Sequence, residues 1–131
     1  MTIFSKIING EIPSYKISED DRFLAFLDVQ PLVLGHVLVI PKVEVNKLFN
    51  LDDEYLSAIL AFAKPIAHAI EKSIPCKRCG LSVIGLEVPH AHLHLVPINT
   101  ADDLNFTRHK LLVSEAEMLR VQKLIVENIE G

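Results

Sequence analysis

The sequence predicts an α+β fold: an antiparallel sheet of about five strands, one long helix and one C-terminal helix. Three observations carry this. Short apolar stretches bounded by Gly, Pro, Asn and Asp have strand length rather than helix length. One apolar pattern of helical period runs unbroken over residues 52–73. A second starts at Ser114 behind a Ser-x-x-Glu signal. The 131 residues are expected to form one domain, 1–131, long enough for a single core without staples.

Residues 3–12 read as a short helical turn ending at Asn9-Gly10, a turn signal. Residues 15–18 and 22–27 read as two strands joined at Glu19-Asp20-Asp21, hence a hairpin. Residues 28–34 contain Pro31 and read as loop. The continuous apolar run in Gly35-His36-Val37-Leu38-Val39-Ile40-Pro41-Lys42 fits a central strand closed by proline. Asn50 or Asp52 caps the long helix, and Asp52, Asp53 and Glu54 complement its N-terminal dipole. Tyr55, Ile59, Phe62, Ile66 and Ile70 form one apolar row; Leu56, Leu60, Ala63 and Ala67 form another. Such a face is wider than one sheet contact requires, so it predicts deep burial or packing on a second subunit. Pro65 is expected to kink this helix without ending it, because the pattern continues beyond it. Residues 80–84 and 89–98 read as two further strands, and 99–110 as a polar loop. Ser114 caps the last helix, with Glu117 completing a capping box and Val113 and Met118 placed as a staple.

The net charge of −4, with no basic stripe, argues against a nucleic-acid partner. No apolar run reaches membrane-spanning length, and the N-terminus lacks a basic region followed by an apolar signal core. A cytoplasmic protein with no membrane partner is expected. Cys76 and Cys79 stand in Cys-x-x-Cys spacing. A zinc site needs two more ligands, and a redox pair is expected to open a helix, whereas this pair follows one. Both are therefore expected to be reduced structural thiols.

The densest chemistry lies in Pro89-His90-Ala91-His92-Leu93-His94-Leu95-Val96-Pro97. Three of the six histidines fall at i, i+2 and i+4, which on a strand places them in one row, with Ala91, Leu93 and Val96 filling the other side. Four uses of such a row stand open. It is a set of histidines satisfied by the core, or a metal site through His-x-His. Positions i and i+4 on a strand lie about 13 Å apart, so all three cannot bind one ion. It is a covalent catalyst, in which a neutral imidazole attacks phosphorus while a neighbouring ring donates to the oxygens. An ordinary imidazole pKa of about 6.5 leaves that nucleophile mostly neutral at physiological pH, and no metal is required. Or it is a binding pocket without turnover.

His90-Ala91-His92-Leu93-His94-Leu95-Val96 resembles the His-φ-His-φ-His-φ-φ signature of the histidine triad (HIT) family, where φ is apolar. Ile3-Phe4-x-Lys6-Ile7-Ile8-x-Gly10-Glu11-Ile12-Pro13 resembles the family's N-terminal stretch. Leu24-Ala25-Phe26-Leu27-Asp28-Val29 resembles its nucleoside-contacting strand, and residues 35–42 a further block. The resemblance implies a homodimeric α+β unit that hydrolyses or transfers a nucleoside monophosphate. The expected substrates are phosphoramidates, dinucleoside polyphosphates or similar nucleotidyl conjugates, the nucleotide a purine. It implies His92 as nucleophile, oriented by the carbonyl of His90, with His94 on phosphate oxygens and His90 lining the site. Asp28 would bind ribose hydroxyls, and Phe4, Ile7, Ile12, Phe26 and Val29 would form an apolar slot for the base. One carboxylate among apolar residues independently suits a sugar diol beside a flat ring. No cofactor and no metal are expected; Thr2 and Ser5 occupy the region where some relatives carry a zinc-binding Cys-x-x-Cys.

The chain departs from that family before the triad. Cys79, Leu86 and Glu87 stand where many members have Asn, Gln and a phosphate-contacting Ser or Thr. A carboxylate about 4 Å from a phosphate charge is repelled by about 4 kcal/mol at an effective dielectric of about 20. Glu87 therefore points away, is protonated, or recruits a cation or amine of the substrate. His68 is expected at the helix surface or a dimer contact and His109 in solvent; a structural hydrogen bond suits His36 at least as well as catalysis.

Overall fold

The apolar stretches resolve into five strands, as expected, in a computed structural model that describes residues 1–130; Gly131, the last residue of the expected domain, lies outside the described residues. The chain runs α1 (Ile3–Ile8), β1 (Lys16–Glu19), β2 (Phe23–Leu27), β3 (Val37–Pro41), α2 (Asp53–Ser73), β4 (Arg78–Ser82), β5 (Leu93–Ile98) and α3 (Glu115–Glu127). Single 3-10 turns occupy Leu48–Asn50 and Ala101–Leu104. The sheet is antiparallel throughout, in the order β1-β2-β3-β5-β4. The β1–β2 hairpin closes as predicted, because Asp20 Oδ1 accepts from both Arg22 N and Phe23 N at 2.8 Å.

β2 and β3 are buried at every position, which explains their unbroken apolar runs. On one face Phe23, Ala25, Val37, Val39, Leu93 and Leu95 meet α2 and α3 through Ile59, Ile66, Ile70, Met118, Val121 and Ile125. On the other, Leu24, Phe26, Leu38 and Ile40 pack against Phe4 of α1. α2 continues through Pro65, since the loss of one donor is outweighed by the apolar row on either side of it. In its second row Leu60 is 57% exposed, whereas Ala63 is buried in the core. No described helix is long and apolar enough to cross a membrane.

Several local expectations need correction. Asp52 holds the N-cap position of α2, yet its side chain makes no capping hydrogen bond; the acidic first turn of Asp53 and Glu54 meets the helix dipole instead. Ser114 Oγ accepts from Glu117 N at 3.2 Å, but Glu117 turns to Arg120 (2.7 and 2.9 Å) and does not complete the box. A full capping box forms at Thr100 and Asp103, inside the stretch read as loop. β4 begins two residues earlier than read. β5 begins at Leu93 rather than at residue 89, because Pro89 has no N–H and the amides of His90 and Ala91 bond to the carbonyls of Val88 (2.8 Å) and Val45 (2.7 Å). Only His94 of the row lies on a strand, and by the two-residue period Val96 shares its face rather than the opposite one.

Candidate active site

Four imidazoles gather on the α1 side of the sheet: His36, His90, His92 and His94, exposed by 1%, 0%, 6% and 7%. Gly35, at φ +97°, swings the chain into β3 and delivers His36; a Cβ there would stand 2.9 Å from Ile74 Cγ1. β5 delivers His94, opposite Leu38 of β3. The irregular turn before β5 delivers His90 and His92, and places the His92 and His94 rings 4.8 Å apart.

Backbone groups of fixed polarity determine which nitrogen carries each proton. Leu32 N donates to His36 Nδ1 at 3.1 Å, so the His36 proton sits on Nε2. That Nε2–H donates to His94 Nδ1 at 2.9 Å, which places the His94 proton on its own Nε2. His92 Nδ1 donates to the His90 carbonyl at 2.7 Å, leaving Nε2 with a free lone pair. His90 Nε2 donates to the Pro41 carbonyl at 2.9 Å, while its Nδ1 faces the Thr2 hydroxyl at 3.1 Å. Among the described residues no buried side-chain nitrogen or oxygen lacks a partner. The two unpartnered ring atoms, His92 Nε2 and His94 Nε2, are therefore the ones that reach solvent. One is an acceptor or nucleophile and its neighbour is a donor.

Burial favours the neutral form of His36, His92 and His94. It pushes His36 and His94 down to about 3, helped by the Lys110 charge, and it lowers His92 despite the hydrogen bond to the His90 carbonyl. Asp28 is half-buried: Oδ1 accepts from Gln30 N at 2.9 Å, and its own N–H donates to the His36 carbonyl at 3.0 Å. Burial raises its pKa. Asp28 Oδ2 stands 3.7 Å from His36 Nε2, too far for a hydrogen bond, and a neutral ring makes no ion pair. Oδ2 is free for a ligand.

Asp28, His36 and His94 offer atoms within 4.8 Å of one another, which is metal-ligand spacing. Their chemistry does not fit an ion. The Leu32 amide occupies His36 Nδ1, and the proton this forces onto Nε2 occupies His94 Nδ1. Neither inward nitrogen has a lone pair to give.

Of the apolar residues expected at the site, Phe4 and Phe26 meet edge to face at 5.7 Å, and Phe4 also meets the His92 ring at 5.1 Å. Ile7 packs on the same cluster. Ile12 is half-buried outside it, and Val29 is 65% exposed, so these two are not drawn into it. Glu87 is exposed, and its carboxylate lies near enough to oppose proton loss from both Asp28 and His92.

Two contributions escaped the sequence reading. Thr2, ordinary in sequence, caps α1 through Ser5 N (3.1 Å) and holds His90. The stretch read as a polar loop folds back over the site. Phe106 places its ring 4.5 Å from His94, Arg108 donates to the Leu32 carbonyl (3.2 Å), and Leu111 N donates to the Pro31 carbonyl (2.9 Å). The lone phenylalanine in that stretch was the one available signal. Cys76 and Cys79 are free, and burial pushes the Cys79 thiol up to about 12, which suits an unreactive structural role.

A family model described as HIT domain matches residues 9–101. An uncharacterized HIT-like protein of Borreliella burgdorferi is 40% identical over 125 residues, 90% of each chain. An adenosine 5'-monophosphoramidase of Candida albicans is 41% identical over 105 residues, covering 72% of this chain and 68% of its own. Among solved structures, a Hit-like protein from Bartonella henselae superposes with a TM-score of 0.85 at 28% identity, over 97% of this chain and 95% of that one. A histidine triad nucleotide-binding protein from Candida albicans gives 0.66 at 35% identity, over 87% and 82%.

Proposed function

This chain belongs to the HIT family, and from that premise we propose that it is a nucleotidyl hydrolase or transferase acting on a nucleoside phosphoramidate or related conjugate. The observation that carries the reading is the 2.7 Å bond from His92 Nδ1 to the His90 carbonyl, which leaves a neutral Nε2 lone pair at the surface of the site. His92 Nε2 attacks phosphorus, and the bond to the leaving group breaks with its electron pair. The leaving amine or phosphate takes a proton from solvent. Water then attacks the nucleotidyl-histidine, releasing the nucleoside monophosphate and restoring His92. His94 Nε2–H donates to a phosphate oxygen, a bond that strengthens as charge develops there. His90 acts through its carbonyl. Asp28 Oδ2 accepts from ribose hydroxyls, and Phe4, Ile7 and Phe26 hold the base. The relatives named adenosine 5'-monophosphoramidase support a purine phosphoramidate as the first substrate to try.

The test is intact-protein mass spectrometry after rapid quench with an adenosine phosphoramidate and with a diadenosine polyphosphate. The expected result is an adduct of one nucleoside monophosphate that is absent in His92→Ala. A second reading, nucleotide binding without turnover, is favoured by Glu87, an exposed carboxylate whose charge acts on His92. Binding of adenosine monophosphate with no adduct and no product would select it. Leu60 of α2, 57% exposed, supports a homodimer through that helix. A monomeric mass by light scattering at micromolar concentration would refute the dimer.

A further inference from the structure

Lys110 takes no part in the chemistry above, yet the fold delivers its ammonium to the His94 end of the site. Its Nζ donates to the Phe106 carbonyl at 2.9 Å and stands 5.8 Å from the Phe106 ring centre. That ring lies 4.5 Å from His94 and 6.1 Å from His36, so the ammonium sits one aromatic ring away from both. The segment is tied at either side of Lys110, by Arg108 to the Leu32 carbonyl and by Leu111 N to the Pro31 carbonyl. Those carbonyls belong to the loop that joins Asp28 to His36. Among the described residues Lys110 makes one hydrogen bond, so two of its three N–H donors remain free.

We propose that Lys110 is a substrate-binding residue that holds the anionic phosphoryl group against His94, supplying the positive charge that residues 85–87 lack. This rests on the nucleotide reading above. His36, His92 and His94 do not supply that charge, since their hydrogen bonds suit the neutral form and burial disfavours imidazolium. A phosphoryl group arriving there meets donors without charge, and the negative charge of Glu87 acts on Asp28 and His92 as well. The anion is drawn toward Lys110 and His94, which the Phe106 ring joins. Balancing the Asp28 carboxylate is the competing role for Lys110, and it predicts a different pattern of binding.

Titration calorimetry on the full chain separates the two, with adenosine and adenosine monophosphate as probes and the wild type compared with Lys110→Met and Lys110→Arg. The proposal expects Lys110→Met to weaken adenosine monophosphate binding about tenfold and leave adenosine within about twofold. It also expects a shallower salt dependence for the nucleotide, and Lys110→Arg to keep most of the affinity. Unchanged nucleotide affinity in Lys110→Met overturns this inference alone, as does an equal loss for both probes. A wild type that binds neither probe removes the nucleotide reading itself and this inference with it.

Discussion

On one face of the sheet Phe23, Val39 and Leu93 meet α2 and α3 through carbon, and on the other four imidazoles are buried to the same degree. The energetic rules differ. The helix-covered face is stabilised by area removed from water, about 1.5–3 kcal/mol for each large side chain, and tolerates any change that conserves volume. The histidine face is stabilised by completeness. Each inward nitrogen has one partner, several of them backbone groups that cannot rearrange, and an orphaned buried group costs about 1–3 kcal/mol. The first face is robust and chemically silent. The second is kept at a cost, and it leaves two open nitrogens of opposite hydrogen-bonding sense at the solvent edge.

The sharpest way to break this contrast is at its one nucleophilic atom. His92→Ala is expected to lower single-turnover cleavage of an adenosine phosphoramidate by at least about a thousandfold, with circular dichroism unchanged. An equal substitution on the apolar face acts the other way. Ile66→Ala is expected to cost about 2–5 kcal/mol in urea unfolding through the cavity it leaves, with turnover of the remaining folded protein intact. Acid distinguishes the faces next. His36 and His94 titrate near 3 when folded and near 6.5 when unfolded, so unfolding between those values takes up protons. Their contribution is complete above about pH 6.5 and is lost as pH falls toward 3. Urea midpoints measured from pH 7 to pH 4 are expected to fall, and His36→Phe is expected to flatten that fall. The smallest effect belongs to Thr2→Val, which deprives His90 Nδ1 of its partner and α1 of its cap at about 1–2 kcal/mol. A melting temperature identical to that of the wild type would show the Thr2–His90 contact to be idle.

The legibility of this molecule divides along the same line. The α2-covered core was readable because periodicity alone decides which residues share a face, as Ile59, Ile66 and Ile70 do. The triad was readable as a pattern, but its geometry was not. Alternation placed three rings in one row on a strand, whereas Pro89 and the carbonyls of Val88 and Val45 remove His90 and His92 from the ladder. The box read at Ser114 stays open, because Arg120 competes for Glu117, and a separate one forms at Thr100.

By itself the sequence determined the strand and helix inventory, the identity of the imidazoles and the carboxylate at Asp28, since these depend on local period and residue type. Tertiary structure alone decided where the protons sit. Leu32 N, Pro41 O and His90 O each pin a ring, and two of these contacts join groups distant in the chain or across a turn. Tertiary structure also brought Phe106 and Lys110 to His94, through the carbonyls of Pro31 and Leu32. Backbone hydrogen bonds between distant segments carry no signature in residue type, because every residue but proline offers the same donor and acceptor.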